Sequence, residues 1–311
     1  MTPAIALSIM RNFEVRWRGA LDASASERCT PALPRIPGYQ LRRRVGQGRM
    51  STAYLAQDLR RGGDVVLKIP NAGYAGDPAR RASFAQEFAI PSLIRNEHVV
   101  RVFDHCVGGD GCSYLAMEYL EGGDVGGWIR RGLTAQEAVS LLRQAAVALS
   151  ELHHRGFVHR DVKPANLLLR SSGDMVLADF GLACRIGAID VASQGTVVGT
   201  PCYAAPEQMQ GAAADPAADV YSLGIVLYQM LCGTPPFTGP TAMELQCQHL
   251  MAAVPGLPPE LARFQLLIDA MLEKDPHRRL SDGAAVLRQI DLINNPDQPV
   301  NGADGASASR C

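Results

Sequence analysis

Apolar positions along the chain follow two different periods, and the change from one to the other divides it. From Tyr39 to Val45, Ala53 to Ala56 and Val65 to Ile69 they alternate with polar residues or form short unbroken runs. Glycine-bearing turns at Gly46–Gly48 and Arg61–Asp64 separate these runs. Short runs bounded by such turns predict strands, and their closeness predicts a small antiparallel sheet. Asp77 and Pro78 form a helix start, with a side-chain acceptor at the cap and proline at the first helical position, and the pattern continues to about Ile90. Val99 to Val107 and Ser113 to Tyr119 read as two more strands, ending at Glu121-Gly122-Gly123.

Beyond those glycines the period lengthens to that of helices. Thr134 and Glu137 have capping-box spacing, and Val139, Leu142, Ala146 and Leu149 share one helical face up to Gly156. Further helices are expected over 217–231, 243–251, 260–274 and 281–293. Residues 1–37, with Pro31, Pro34 and Pro37 and no sustained period, read as a partly disordered leader, and 294–311 as a disordered tail. One domain over 38–293 is expected, split near residue 120 into a sheet lobe and a larger, mainly helical lobe. The fold class is α+β.

Composition narrows the functional classes. The 311 residues are enough for one large two-lobed unit, and a net charge of -1 leaves no basic footprint for nucleic acid and no polybasic lipid anchor. No nucleic-acid partner is expected. The eight cysteines are scattered without C-x-x-C pairs, which fits reduced thiols better than a zinc site. Met1–Met10 lacks a preceding basic region, and no window approaches the roughly 18 apolar residues of a membrane span. A cytoplasmic protein is expected.

The candidate chemistry begins in the sheet lobe. In Val45-Gly46-Gln47-Gly48-Arg49-Met50-Ser51-Thr52-Ala53 the glycines allow backbone N–H groups to approach a polyphosphate, although the same pattern also fits an ordinary tight hairpin. Lys68, ending the apolar run Val65-Val66-Leu67, is placed to aim an ammonium at phosphates; in isolation it also fits a solvated strand edge. Glu87 would hold that lysine if its helix faced it, and is otherwise a helix-surface glutamate.

His159 to Asn166 is far more specific. Transfer of a phosphoryl group to a hydroxyl needs a carboxylate to orient the hydroxyl and take its proton. It also needs a cation to neutralise the moving group and oxygen ligands to hold a divalent metal. Asp161, Lys163 and Asn166 supply one of each within six residues. Asp179 follows the apolar run Met175–Ala178 and precedes Phe180-Gly181, a suitable place for a second metal-binding carboxylate.

Taken in order, the glycine loop, Lys68, Glu87, His159–Asn166, Asp179-Phe180-Gly181 and Ala205-Pro206-Glu207 resemble the successive signatures of Hanks-type protein kinases over about residues 39–290. The wording of Val158–Leu169 and Gly199–Gln208 resembles the bacterial branch. The resemblance implies a bilobal kinase fold and transfer of the γ-phosphoryl of ATP to serine and threonine hydroxyls of proteins, with Mg2+ and with Mn2+ as a substitute. It implies that Lys68, held by Glu87, binds the α and β phosphates, that Asp161 is the base, that Lys163 stabilises the transferred group, and that Asn166 and Asp179 bind the metal. Gly46, Gly48 and Ser51 would cover the phosphates, while Val45, Ala53, Val66 and Leu168 would enclose adenine. Met117 would be the gatekeeper, the backbones of Glu118 and Leu120 would meet the adenine edge, and Asp124 would approach the ribose. Lys163 together with Thr200 resembles the serine/threonine branch, whose threonine bridges base and lysine. Asp219–Gly224 resembles the helix that supports the catalytic loop, and Arg279 is placed to pair with Glu207. Arg160 before the base implies control by a phosphate on the activation segment, with Ser193 and Thr196 as candidate sites, which invites self-association for autophosphorylation.

Three positions depart from the family pattern. Ser51 replaces the third glycine of the loop and Ala53 a customary valine. Pro91, four residues after Glu87, falls where the family has a residue of its hydrophobic spine beside His159 and Phe180. Within a continuous helix it would cost about 3 kcal/mol, so a shortened or bent helix ending near Ile90 is expected. Two rivals remain at this point: a kinase-like scaffold without catalysis, against which Lys68, Asp161 and Asp179 all speak, and a small-molecule phosphotransferase, against which Thr200 and Ala205–Glu207 speak.

Overall fold

The computed structural model describes residues 33–48, 50–71, 78–106, 113–189 and 199–294. Ser193, Thr196 and the Asp77 cap lie outside these, as do the proposed tail and most of the leader.

β1 (Tyr39–Gln47), β2 (Ser51–Asp58), β3 (Asp64–Pro70), β4 (Val102–Cys106) and β5 (Tyr114–Glu118) form one antiparallel sheet in the order β1-β2-β3-β5-β4. The alternation of strand side chains explains its two small cores. Val65 and Leu67 pack on one face with Ile36, Tyr39, Ala56 and Ala116, and Val66 packs on the other with Val45 and Leu55. Lys68 has the parity of Val66, so the strand delivers its ammonium to the face that carries Val45 and Ala53.

Between β3 and β4 lies α1 (Pro78–Ser92), which contains Pro91. The helix ends two residues beyond Ile90. Pro91 has no N–H for the Glu87 carbonyl, and the chain leaves through tighter bonds, Leu93 N–H to Ile90 O at 3.1 Å and Ile94 N–H to Pro91 O at 3.0 Å. The Ser92 hydroxyl donates to the Phe88 carbonyl.

The second lobe is mainly helical. It contains α2 (Val125–Arg131), α3 (Ala135–His154), α4 (Pro206–Met209), α5 (Pro216–Cys232), α6 (Ala242–Met251), α7 (Gln265–Met271) and α8 (Gly283–Asn294), with the short pairs β6 (Phe157–Val158) with β9 (Cys184–Arg185) and β7 (Leu167–Leu169) with β8 (Met175–Leu177). α3 opens with the capping box expected of Thr134 and Glu137, and its buried stripe from Ala138 to Leu152 forms the centre of the main apolar cluster. α5 is buried nearly throughout and stops at Gly233, whose φ of 78° is the left-handed conformation that suits glycine.

Two expectations are corrected. The helix expected over 260–274 is a 3-10 turn (Pro259–Phe264) followed by the short α7. The Ala270 carbonyl, which a helix continued to Lys274 would give to the Lys274 N–H, instead accepts Leu280 N–H at 3.2 Å, and Arg279 takes the Glu273 and Lys274 carbonyls beyond it at 2.8 and 3.2 Å. α2 was not expected, since Gly126 and Gly127 weaken helical propensity; the Asp124 carboxylate compensates by capping Gly127 N–H at 2.7 Å.

Candidate active site

The cleft between sheet and helices gathers the predicted residues. Asp161 is nearly buried, and its carboxylate is fixed from three sides: Lys163 Nζ at 2.7 Å and Asn166 Nδ2 at 3.0 Å on Oδ2, and Thr200 Oγ1 at 2.8 Å on Oδ1. Lys163 Nζ also donates to Thr200 Oγ1 at 2.8 Å, closing a triangle among base, cation and hydroxyl. Asn166 Nδ2 reaches the Asp161 carbonyl as well, which leaves its Oδ1 as the amide acceptor.

Beneath this loop Asp219 accepts the backbone N–H groups of His159 and Arg160, at 2.7 and 2.8 Å, and His153 Nε2 at 2.9 Å. Burial would raise the Asp219 carboxyl, but His153 and the His159 amide outweigh it and hold it below the usual range. His153 Nδ1 in turn accepts Gly283 N–H, which sets the proton on Nε2 and ties α8 to the loop. Two non-glycine residues of the described chain have left-handed backbones, Arg160 (φ 64°) and Asp179 (φ 65°), and both flank the chemistry. Asp219 locks the first; Arg160 Nε also donates to the Leu182 carbonyl at 2.7 Å.

Across the cleft, Lys68 Nζ meets Glu87 Oε2 at 2.5 Å and Asp179 Oδ1 at 3.0 Å. Burial would push the lysine down, but the Asp179 and Glu87 carboxylates keep it above its ordinary value. Asp179 lies against the protein on one side while 43% of its side-chain surface faces the open cleft. Desolvation opposes its ionisation, and the charges of Lys68 and Lys163 overcome that and hold it at about 2. Burial pushes the Glu87 carboxyl up to about 7; Lys68 pulls against that and Asp179 adds to it. Gly181 leaves room here, because a Cβ on it would stand 2.8 Å from Glu87 Oε1 and displace that carboxylate. His159 and Phe180 meet edge to face at 5.0 Å, and His159 Nε2 lies 3.1 Å from the Ala178 carbonyl.

The remaining residues fall around this centre. Val45, Val66 and Ala53 share one apolar cluster, Leu168 belongs to the main cluster below, and Met117 packs against both. Gly46 pairs with Ala53 in the β1–β2 ladder, and Gly48 N–H donates to the Ser51 carbonyl at 2.8 Å. Asn71 anchors that loop through the Gly48 carbonyl and Thr52. The Glu118 side chain turns away to Arg101 N–H and Arg170, Leu120 is buried, and Asp124, besides capping α2, bridges to Leu168. Glu207 and Arg279 form a buried two-point pair at 2.6 and 3.1 Å.

His153, Asn71, Ser83 and Gln86 escaped sequence reasoning. His153 left a signal, a histidine on the buried stripe of an amphipathic helix; the others did not, because their partners are backbone carbonyls or residues far along the chain. Among the described residues no three His, Cys, Asp or Glu side chains cluster as a metal site, and no helix is long and apolar enough to cross a membrane. The hard oxygens of Asp179 and Asn166 fit a divalent cation such as Mg2+ that takes its other ligands from phosphates and water.

A two-lobed fold with an ionised Asp179, a lysine–glutamate pair and a fixed Asp161 belongs to the class of phosphoryl-transfer folds. The protein kinase domain profile matches residues 39–290, and the chain belongs to the protein kinase family. It is 36% identical over 282 residues to the serine/threonine-protein kinase drp72 of Corynebacterium efficiens, covering 88% of this chain and 54% of that one. It is 36% identical over 265 residues to the serine/threonine-protein kinase PknL of Mycobacterium tuberculosis (82% and 65%). It is 34% identical over 280 residues to PknA of Corynebacterium glutamicum (87% and 60%). The chain thus spans between about half and two thirds of the length of these relatives.

Proposed function

We propose that the chain is a serine/threonine protein kinase that transfers the γ-phosphoryl group of ATP to hydroxyls of protein substrates. The observation that carries this reading is the closed hydrogen-bonded set of Asp161, Lys163 and Thr200. A base must be fixed in direction, and the three donors around Asp161 fix it. Asp161 takes the proton of the substrate hydroxyl as its oxygen bonds to phosphorus; the bridging β–γ bond breaks and ADP leaves. Lys163 neutralises charge on the transferring group, and Thr200 ties the base to the segment before Ala205-Pro206-Glu207, where a protein substrate would lie.

Lys68, steadied by Glu87, binds the α and β phosphates under Gly46, Gly48 and Ser51. Val45, Ala53, Val66 and Leu168 enclose adenine, with Met117 behind, the Glu118 and Leu120 backbones at its edge and Asp124 toward the ribose. Asp179 and Asn166 would hold Mg2+, for which Mn2+ could substitute, and the bound cation would screen the phosphate charge. Arg160 answers a phosphate on Ser193 or Thr196, placed there by a second copy of the chain.

Incubation with radiolabelled ATP tests the reading. Label on serine or threonine of protein acceptors, lost in Asp161→Asn, is expected. Label on small molecules alone would overturn the substrate class, and nucleotide binding without transfer would make the chain a scaffold. Phosphosite mapping of active protein is expected to find Ser193 or Thr196 occupied; an undiminished rate in the Ser193→Ala/Thr196→Ala variant removes the regulatory part.

A further inference from the structure

Gln86 and Glu87 stand three and four residues after Ser83 on α1, the spacing that puts both on its helical face. That face meets the turn after Asp179. The Ser83 hydroxyl donates to the Gly181 carbonyl at 2.6 Å and Gln86 Nε2 to the Ala183 carbonyl. Both acceptors belong to main chain between strands, so the bonds fix the backbone that carries Asp179 whatever its side chains are. Gly181 allows the approach, since a Cβ there would strike the Glu87 carboxyl.

Apolar packing does not hold this part of the helix as firmly. Ile90 and Ile94 join the main cluster at the end that Pro91 closes, whereas Phe84 is buried without joining any of the three apolar clusters. Phe88 stacks on His105 of β4 at 3.8 Å, and the polar bonds of Ser83, Gln86 and Glu87 join the same turn to the cleft.

We infer that Ser83 and Gln86 are positioning residues that couple α1 to the Asp179 turn and so set the Lys68–Glu87–Asp179 contact. This rests on the kinase reading and names what keeps that site assembled. Two hydrogen bonds of ordinary strength bias the assembled state about tenfold or more.

The test is calorimetric binding of adenosine and of a Mg2+-bound, non-hydrolysable ATP analogue, with kcat measured alongside, in the full chain. Ser83→Ala/Gln86→Ala is expected to weaken the Mg2+-nucleotide and lower kcat by about tenfold each, while adenosine affinity stays within about twofold. Adenosine is spared because its seat does not include the turn. Ser83→Thr keeps the hydroxyl and is expected to behave as wild type; Gln86→Ala alone serves if the double variant unfolds. A folded variant with unchanged Mg2+-nucleotide affinity overturns the inference, and so does an equal loss for adenosine, which would signal general damage. If wild-type protein binds Mg2+-nucleotide but transfers no phosphate, the kinase reading falls and the two binding arms still decide the coupling.

Discussion

In the catalytic loop Asp161 is held by three side chains and the backbone beneath it by Asp219, whereas on α1 Glu87 reaches the cleft through one bond to Lys68. The loop's partners lie mostly within the helical lobe and are mutually saturated. α1 joins groups from both lobes, with Lys68 19 residues from Glu87 and 111 from Asp179. A saturated network keeps its geometry without ligand; a helix tied by a few partly solvated bonds can swing away at modest cost. On the proposed reading the chemistry belongs to the rigid part, and its control is open to the softer one.

The largest expected effect follows directly. Asp161→Asn removes the proposed proton acceptor and is expected to lower kcat about a thousandfold. Glu87→Gln keeps the shape but weakens one charge-assisted bond, and is expected to cost about ten- to a hundredfold in kcat/KM. Steady-state kinetics of both variants check the contrast; equal losses would show that catalysis depends on α1 as heavily as on the loop.

Next comes the frame of the helical lobe. Glu207→Gln leaves the fully buried Arg279 guanidinium without its carboxylate, and a loss of about 3 kcal/mol in unfolding free energy is expected from denaturant titration. Ser83→Ala, on the soft helix, is expected to change stability by only about 1 kcal/mol.

Legibility followed the same division. The loop's residue types and spacing, Asp161 to Asn166 and then Asp179, were readable because a short stretch of backbone fixes their relations. The five-stranded sheet and α3 were readable from period and capping. α2 was missed because a single side-chain cap overrides its two glycines, and the 260–274 helix was overdrawn because Leu280, from beyond it, takes the Ala270 carbonyl that would have continued it. Of how α1 docks only the Glu87–Lys68 pair was legible; the rest was not, since Ser83 and Gln86 address backbone carbonyls nearly a hundred residues away.

The rigid lobe has one soft point of its own, and acid should find it. The Tyr221 hydroxyl lies 3.0 Å from His249 Nδ1, and the fully buried Nε2 of the same ring has no hydrogen-bond partner. Burial and the nearby Lys274 hold this histidine at about 4, below its ordinary 6.5. Between those values the unfolded chain binds the extra proton and the folded one does not, so stability falls as pH drops through the window. A loss of about 1 kcal/mol from about pH 7 to about pH 5.5 is expected, and His249→Gln should flatten that slope in thermal melts.

The smallest effect bears most closely on what holds α1. Pro91→Ala gives the helix an N–H for the Glu87 carbonyl, which favours continuation, and removes a buried ring, which opposes it. The two changes nearly offset, so stability should move by only about 1 kcal/mol while amide exchange slows over residues 91–94. Ser83 and Gln86 lie upstream of the proline and keep their carbonyl partners, so kcat is expected to stay within about threefold of wild type. A tenfold change would move the control of Glu87 from the polar face of α1 to its C-terminal end, and with it the point at which a partner or a phosphate would act.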